Sequence, residues 1–175
     1  MPIFVETERL ILRELLPSDD AGMFELDSDP EVHRYLGNKT VQTIGQSQAL
    51  IAFVRQQYVD NGIGRWAVVE KQTGDFVGWS GLKLAPGPTN GRTSYYDLGY
   101  RFIRRYWGRG YATETARASV RYGFDTLRLP LICGIADVRN LASNQVLQKA
   151  GLRFGNTFDL DGVLHHWYER KKPAQ

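Results

Sequence analysis

The stretch RRYWGRGYA, residues 104–112, lies between an alternating run typical of a strand and a long helical pattern. Its glycines, Gly108 and Gly110, let the backbone approach a ligand closely and adopt conformations that other residues avoid. The start of the following helix offers unpaired N–H groups and the positive end of the helix dipole. Fixed positive charge for phosphate oxygens comes from three arginines, Arg104, Arg105 and Arg109. We therefore predict a pyrophosphate-binding loop at this strand-to-helix junction.

This loop fits neither of two common nucleotide-binding motifs. A Walker A loop ends in Gly-Lys-Ser/Thr, which the sequence lacks. The dinucleotide fingerprint requires Gly or Ala where Thr113 stands, and it opens a parallel βαβ unit. Here a hairpin is predicted before the loop instead. The sequence therefore disfavours ATP and NAD as the phosphate ligand.

Around this loop, hydrophobic periodicity and turn signals predict a single domain, residues 1–175, of α/β (α+β mixed) class. The predicted strands cover residues 9–15, 66–71, 76–84, 94–103, 131–136, 152–158 and 163–170. The predicted helices cover residues 18–26, a short piece opened by residues 29–31, and residues 43–60, 108–127 and 140–150. Ser18, Thr43 and Asn140 are the expected N-caps, and Thr43 forms a capping box with Gln46.

Composition limits the classes of protein that this chain can represent. With 22 Lys and Arg against 19 Asp and Glu, the net charge is +3, too low to predict direct binding to nucleic acid. Cys133 is the single cysteine, and His165 and His166 point to opposite faces of a strand, so neither a disulfide nor a metal is expected. Since no stretch resembles a membrane span or a secretory leader, we expect a soluble, cytoplasmic protein.

Several segments carry a resemblance to a known family. Residues 105–112 resemble the Gln/Arg-x-x-Gly-x-Gly/Ala signature with which GNAT acetyltransferases bind the pyrophosphate of acetyl-CoA. Similarity to the RimJ/RimL-like branch, which contains the ribosomal-protein N-terminal acetyltransferases, extends to TERLILR at 7–13, LGYR at 98–101, YWGRGYATE at 106–114, NLASN at 140–144 and KAG at 149–151. The resemblance spans about residues 6–170 and implies a GNAT-like fold, with a central, mostly antiparallel mixed sheet flanked by helices.

The resemblance implies acetyl-CoA as co-substrate and assigns its binding residues by position. The sequence departs from the family at Arg104, where the family often has a proline. The resemblance therefore does not predict how the chain leaves the preceding strand. Asn140 would bind the pantetheine arm, serve as a helix cap, or do both. The implied acetyl-CoA-binding residues are Phe102, Ile103, Arg104, Arg105, Gly108, Arg109, Gly110, Tyr111, Ala112, Thr113, Asn140 and Ser143.

The resemblance also implies that an amine attacks the thioester directly. No protein nucleophile is then needed, and Cys133 is interpreted as a core residue. Asp97 stands where the family has its acidic residue, usually Glu, and would act as the base directly or through a water; alternatively it is a solvated carboxylate or part of an ion pair. A backbone N–H within residues 101–103, with that of Ile103 favoured, would stabilise the oxyanion, and Ser143 would lie near the leaving sulfur.

The predicted function is acetyl transfer to a primary amine, with a protein N-terminal α-amine as one acceptor. An α-amino group has a pKa near 7.7–8.0 and lysine one near 10.4, so deprotonation at pH 7 costs about 1 and more than about 4 kcal/mol, respectively. The alternatives are acetyl transfer to a small-molecule amine (an antibiotic, polyamine or amino acid) and a non-catalytic CoA-binding regulator. Under each of these functions we expect the protein to be a monomer or a homodimer. Candidate residues of an acceptor groove, which are also candidates for the core, are His33, Tyr35, Trp79, Tyr95 and Tyr96.

Overall fold

The structure of the protein is a computed structural model that describes residues 3–175 and contains one sheet of eight strands. The strands are β1 (Ile3–Glu6), β2 (Leu10–Arg13), β3 (Trp66–Glu70), β4 (Phe76–Ala85), β5 (Tyr95–Phe102), β6 (Leu131–Asp137), β7 (Arg153–Leu160) and β8 (Val163–Lys171). Their order across the sheet is β1-β2-β3-β4-β5-β6-β8-β7, and each neighbouring pair is antiparallel except β5 and β6. The mostly antiparallel mixed sheet implied by the resemblance is confirmed.

The helices of the described chain are α1 (Asp20–Ser28), α2 (Ile44–Asn61), α3 (Tyr111–Asp125) and α4 (Leu141–Lys149). The capping box of α2 is confirmed: the N–H of Gln46 donates to the Thr43 hydroxyl at 3.3 Å, and the Gln46 side chain accepts the Thr43 N–H at 3.1 Å. Asn140 caps α4 as predicted, because its side chain accepts the N–H of Ser143 at 3.2 Å. These caps fix where α2 and α4 begin.

Two predictions for the N-terminal region are wrong. Ser18 does not cap a helix, because it lies inside a 3₁₀ turn, and the carboxylate of Asp19 accepts the N–H of Leu16 at 2.8 Å instead. Residues 30–38 form turns rather than a helix, and Gly37 and Asn38 have φ of +82° and +53°, which a helix does not accommodate. The sequence-based prediction also omits strand β1.

Helix α3 begins at Tyr111, later than the predicted residue 108. Gly108 and Gly110 have φ of +77° and +81°, in the left-handed region that glycine adopts without a Cβ clash. A right-handed helix cannot include residues in this conformation, so the two glycines belong to the loop before α3. A short 3₁₀ turn at Arg104–Tyr106 precedes them.

The two faces of the sheet are covered by different helices. Gly123 of α3 lies so close to one face that an added Cβ would be 2.8 Å from the side chains of Leu82 and Ile132. On the other face, Asp27 of α1 forms an ion pair with Arg101 of β5 at 2.7 Å. Since successive residues of a strand point to opposite faces, the odd-numbered side chains of β5 face α1, and the even-numbered ones face α3 and α4.

The sheet is almost divided between β5 and β6. These strands run parallel and are joined by one bridge, between Asp97 and Cys133, although β5 continues to Phe102 and β6 to Asp137. By contrast, β4 and β5 pair at eight register positions. The strands β5 and β6 therefore separate after the bridge and leave a gap in the sheet.

Candidate active site

The backbone of β5 faces the gap with alternate residues. The N–H of Ile103 donates to the carbonyl of Val77 on β4 at 3.0 Å. Because hydrogen-bonding direction alternates along an antiparallel strand, the odd-numbered residues of β5 turn their N–H groups toward β4 and the even-numbered residues turn theirs away. The N–H groups of Tyr100 and Phe102 therefore point into the gap, beyond the single bridge to β6.

The expectation that the Ile103 N–H stabilises an oxyanion is wrong, because that N–H is already bonded within the sheet. The neighbouring Phe102 has the opposite orientation. Its carbonyl accepts the indole N–H of Trp107 at 2.8 Å, on the side away from β4. Sequence spacing did not distinguish the two residues, since a shift of one position along a strand reverses the direction of the backbone groups.

The loop before α3 combines unpaired backbone N–H groups with open space beside Gly108. Nothing within the described chain comes within 4 Å of a Cβ built on Gly108. No side chain caps α3, and its first main-chain hydrogen bond runs from the N–H of Glu114 to the carbonyl of Gly110. The N–H groups of the first turn, at Tyr111, Ala112 and Thr113, therefore remain available at the positive end of the helix dipole.

The arginines of the loop lie at its rim. Their side chains are about half exposed, at 60%, 58% and 48% for Arg104, Arg105 and Arg109. Each lies near a carboxylate rather than in open solvent, and the pairs are Arg104–Asp29 at 4.0 Å, Arg105–Glu25 at 2.8 Å and Arg109–Glu70 at 3.5 Å. The Arg105–Glu25 pair is exposed on both sides, and exposed pairs contribute little to stability, so the Arg105 guanidinium can turn toward a ligand at small cost.

Tyr100 joins β5 to the start of α4 across the gap. Its hydroxyl donates to the carbonyl of Ser143 at 2.8 Å and lies 3.0 Å from the Ser143 hydroxyl. Burial raises the pKa of Tyr100 above its ordinary value, so the phenol stays protonated and can donate. The structure thus brings Ser143 and the capping Asn140 to the gap. Sequence reasoning missed Tyr100, whose only signal is its place in the LGYR segment.

Asp97 is held by an arginine that the sequence did not single out. The Nη2 of Arg65 lies 2.7 Å from Asp97 Oδ2, and its Nη1 donates to the backbone carbonyls of Asp97 and Gly81. Gly99 makes room for this guanidinium, because a Cβ there would collide with Arg65 Nη2. The ion-pair interpretation of Asp97 is therefore confirmed. Its second oxygen, Oδ1, is buried and has no partner within residues 3–175.

The strand residues predicted for an acceptor groove divide between the two faces. Trp79 lies on the α1 face, where the guanidinium carbons of Arg65 and Arg101 are 5.4 Å and 5.0 Å from its ring centroid. Tyr95 lies on the same face. Tyr96 lies on the opposite face and packs against the main core, so it is not available to a groove on the α1 face.

The turns after α1 bring a histidine to this face. His33 Nε2 lies 2.9 Å from Asp27 Oδ1, which also accepts from Arg101 Nη1 at 2.7 Å. His33 Nδ1 and Asp27 Oδ2 are buried without a partner in the described part of the chain. Tyr35 lies beneath the guanidinium of Arg139, 5.7 Å from its ring centroid. Several buried polar atoms that lack partners within residues 3–175, those of Asp27, His33 and Asp97, therefore lie on this face of the sheet.

Cys133 has no chemical role in this arrangement. Its side chain is fully buried, and burial raises the pKa of the thiol to about 12, so it is a thiol rather than a thiolate near neutral pH. Among residues 3–175, no group of three His, Cys, Asp or Glu side chains is arranged to hold a metal ion. The same residues contain no helix with the length and apolar character of a membrane span.

Known proteins are similar to this chain in sequence. A family model described as the acetyltransferase (GNAT) domain matches residues 9–153. The N-acetyltransferase YoaA of Bacillus subtilis is 31% identical over 170 residues, which cover 97% of this chain and 90% of that protein. The FsC-acetyl coenzyme A-N(2)-transacetylase of Aspergillus fumigatus is 32% identical over 158 residues, 88% of this chain and 66% of that protein.

Solved structures share the fold. RimL, a ribosomal L7/L12 alpha-N-protein acetyltransferase solved with coenzyme A, has a TM-score of 0.79 at 16% identity, covering 97% of this chain and 98% of its own. The aminoglycoside acetyltransferase AAC(6′)-Ib, also solved with coenzyme A, has a TM-score of 0.75 at 16% identity, covering 93% and 95%. With a divided sheet, an uncapped helix after a glycine loop and a family match over most of its length, this chain belongs to the GNAT family of acetyl-CoA-dependent acetyltransferases.

Proposed function

We propose that this enzyme transfers acetyl from acetyl-CoA to a primary α-amine, by direct attack of the amine on the thioester carbon. The observation that carries the proposal is the gap between β5 and β6, which opens at Asp97 and leads to the uncapped start of α3. In the transfer the amine nitrogen forms a bond to the acetyl carbon and the carbon–sulfur bond breaks. The sulfur keeps the electron pair and takes up a proton, and the amine nitrogen gives one up, so the products are the amide and the free CoA thiol.

The residues present fit acetyl-CoA at the α3 end of the gap. Gly108 provides space for a ligand against the backbone, and the first-turn N–H groups of α3 would bind pyrophosphate oxygens. Arg104, Arg105 and Arg109 would supply charge from the rim. The N–H of Phe102, which points into the gap, replaces that of Ile103 as the proposed oxyanion donor.

Asp97 is proposed to receive the amine rather than to act as a strong base. Arg65 neutralises one oxygen of its carboxylate, and Oδ1 is left to accept a hydrogen bond from the amine. A carboxylate that only accepts a hydrogen bond suits an acceptor amine that is readily available in its neutral form. An α-amine meets that condition, because its deprotonation at pH 7 costs about 1 kcal/mol, whereas that of a lysine side chain costs more than about 4 kcal/mol.

Tyr100 and Ser143 are proposed to serve the leaving sulfur. Their hydroxyls lie 3.0 Å apart at the edge of the gap, where α4 begins. The raised pKa of Tyr100 keeps its phenol protonated, and this phenol donates to the Ser143 carbonyl, so the Ser143 hydroxyl is left to donate a hydrogen bond to a developing thiolate. Asn140 supports this arrangement by capping α4 through the N–H of Ser143.

Thermal unfolding with acetyl-CoA, NAD and ATP tests the co-substrate, and release of free CoA thiol with a panel of amines tests the reaction. A ligand at 100 times its Kd stabilises a protein by about 2.7 kcal/mol. For a domain of this size that corresponds to a rise in Tm of roughly 5–10 °C. We expect such a rise with acetyl-CoA alone, and thiol release with α-amines in preference to ε-amines.

Other outcomes select the alternative functions. A rise in Tm with acetyl-CoA but no thiol release with any amine would identify a CoA-binding regulator. Thiol release with aminoglycosides or polyamines, but not with α-amines, would identify a different small-molecule acceptor. A larger rise with NAD or ATP would overturn the assignment of the loop before α3.

A further inference from the structure

Lys83 is a cation without a partner beside Asp97. It lies on β4 directly opposite Asp97 on β5, so the two side chains are cross-strand neighbours on the same face of the sheet. Within residues 3–175, Lys83 takes part in no ion pair, and the carboxylate of Asp97 is paired with Arg65 instead. The ammonium group of Lys83 therefore faces the acceptor side of the gap with its charge unmatched.

The carboxylates around this face are already matched. Asp137 and Glu169 share the face with Asp97, as the register of β6 with its neighbours shows, because Cys133 lies opposite both Asp97 and Glu169. Each of the four carboxylates has an arginine within 3 Å, and the pairs are Asp97–Arg65 and Asp27–Arg101 at 2.7 Å, Asp137–Arg139 at 2.7 Å and Glu169–Arg92 at 2.9 Å. These four pairs leave the charge of Lys83 in excess.

The surroundings of Lys83 destabilise its unpaired positive charge. The side chain is half-buried, and burial, followed by the nearby Arg65, lowers the pKa of its ammonium group, although the neighbouring Asp97 offsets part of that shift. Burial and Arg65 both destabilise the charged form of the Lys83 ammonium group, and an anion bound beside Lys83 would stabilise it. No carboxylate of the described chain fills that place, so the anion is expected from a ligand.

We propose that the acceptor substrate carries a carboxylate close to its reacting amine, and that Lys83 binds this carboxylate while Asp97 Oδ1 receives the amine. The inference rests on the proposed function, whose acceptor it narrows to an amino-carboxylate. Cross-strand neighbours have Cβ atoms about 4.5–5.5 Å apart, which suits a substrate whose amine and carboxylate are separated by a few bonds. Such a carboxylate belongs either to a free amino acid or to an acidic residue at the start of a peptide.

Matched acceptor pairs distinguish these sources in a thiol-release assay with the full chain. The first pair is L-phenylalanine and 2-phenylethylamine, which differ by the carboxylate. The second pair is two C-terminally amidated peptides that begin Ser-Asp and Ser-Asn. We expect the wild-type enzyme to prefer the anionic member of one pair, by about tenfold in kcat/KM, since a hydrogen bond to a charged group contributes at least that factor.

Two variants then assign the preference to Lys83. Lys83→Gln removes the charge and keeps most of the side-chain length, whereas Lys83→Arg keeps the charge. We expect Lys83→Gln to raise KM for the preferred anionic acceptor about tenfold, with kcat and the KM for acetyl-CoA changed by less than about twofold, and Lys83→Arg to retain the preference. The neutral member of the pair serves as the control, because its KM has no carboxylate contact to lose.

The proposal is overturned if the wild-type enzyme acetylates the anionic and neutral members of both pairs equally, and the proposed function then still stands. It is also overturned if Lys83→Gln weakens both members alike, since that result indicates a structural role. If Lys83→Gln does not fold, the wild-type comparison and Lys83→Arg decide the matter. Absence of thiol release with every amine would refute the proposed function itself, and the narrower inference with it.

Discussion

Helices α2 and α3 begin in opposite ways. At the start of α2, Thr43 and Gln46 exchange hydrogen bonds, so the N–H groups of these two residues have partners within the chain itself. At the start of α3, Gly110 offers no side chain and no cap hydrogen bond is made. The first helix start is capped by side chains of this chain, whereas the second has no side-chain cap and leaves its donors to water or a ligand.

Two parts of the sheet differ in a similar way, one with its backbone groups paired and the other with groups left unpaired. Strands β4 and β5 pair at eight register positions, whereas β5 and β6 are joined only at Asp97 and Cys133. Backbone groups that the sheet leaves unpaired occur in the carboxyl-terminal half of β5, and the helix donors that no side chain caps follow shortly after that strand, at the start of α3. A ligand that runs along the gap would satisfy both, which is why we assign the site to this junction and not to other helix starts.

The largest effect is expected from Gly108→Glu. The substitution places a side chain and a negative charge where the structure has open space beside the α3 donors. Because like charges brought together cost several kcal/mol, the Kd for acetyl-CoA should rise by about 100-fold or more. Isothermal titration calorimetry measures this change directly.

Gly162→Glu is the matched control for that experiment. Gly162 lies in the turn between β7 and β8, has φ of +85° and, like Gly108, has nothing within 4 Å of an added Cβ. Both variants therefore carry similar backbone strain, but only one alters the start of α3. Equal affinities for acetyl-CoA in the two variants would contradict the assignment of the loop.

The next effect concerns the bridge of the divided sheet. Asp97→Asn keeps the shape of the side chain but removes the charge that pairs with Arg65. General acid–base and charge contributions at such positions are worth about 100-fold in rate, so kcat should fall by about that factor while the Kd for acetyl-CoA is retained. Steady-state kinetics at saturating acetyl-CoA provide the measurement.

Loss of a buried ion pair also destabilises a protein. Asp97→Asn therefore needs a control variant that loses a buried ion pair elsewhere in the fold. Asp19 forms a buried pair with Arg13 at 2.8 Å, on β2 and away from the gap. Asp19→Asn should lower Tm in the same way without a change in kcat. If both variants lose activity in proportion to their stability, Asp97 has no specific part in the reaction.

The elements of this fold were largely predictable because their signals are local. Thr43 and Gln46 stand three residues apart in the sequence and cap α2 through that spacing. The glycines before α3 marked the phosphate loop, but not the first residue of the helix, since their left-handed conformation is set by the loop that they form. The turns at 30–38 were mistaken for a helix because proline and acidic residues also open helices.

The partners of the site residues were not predictable, because they depend on which strands lie side by side. Arg65 and Asp97 are 32 residues apart and meet only because β3, β4 and β5 are adjacent. The error at Ile103 has the same origin, since pairing with Val77 decides which N–H groups are free. Tyr100 became visible as a site residue only through its contact with Ser143 across the gap.

A smaller effect, on stability alone, is expected at the capped start of α2. Thr43→Ala removes the hydroxyl that accepts the N–H of Gln46. Loss of such a cap costs about 1 kcal/mol, or about 2–4 °C in Tm for a protein of this size. The Kd for acetyl-CoA should stay within about twofold of the wild-type value, and Thr43→Ser should recover most of the stability. A large loss of acetyl-CoA affinity in Thr43→Ala would remove the distinction between the two helix starts.

The smallest effect on activity is expected at Cys133, which shares the bridge with Asp97. Cys133→Ala should retain kcat, because the thiol is buried and takes no part in the transfer. The Cys133 thiol should instead make the stability of the wild-type protein depend on pH. The pKa of Cys133 is raised to about 12 in the folded chain, whereas an exposed thiol ionises near 8.5. Ionisation of the unfolded chain therefore reduces the stability of the wild-type protein as pH rises above about 8.5.

Cys133→Ala lacks this dependence, so comparison of the two proteins separates the thiol from the tyrosines that titrate in the same range. Between pH 8 and pH 10, the free energy of unfolding of the wild-type protein should fall by up to about 2 kcal/mol more than that of the variant. Urea unfolding at the two pH values measures the difference. Parallel loss of stability in both proteins would show that Cys133 ionises as easily in the fold as outside it. A loss of kcat in Cys133→Ala would instead indicate that both residues of the bridge, Asp97 and Cys133, contribute to the reaction.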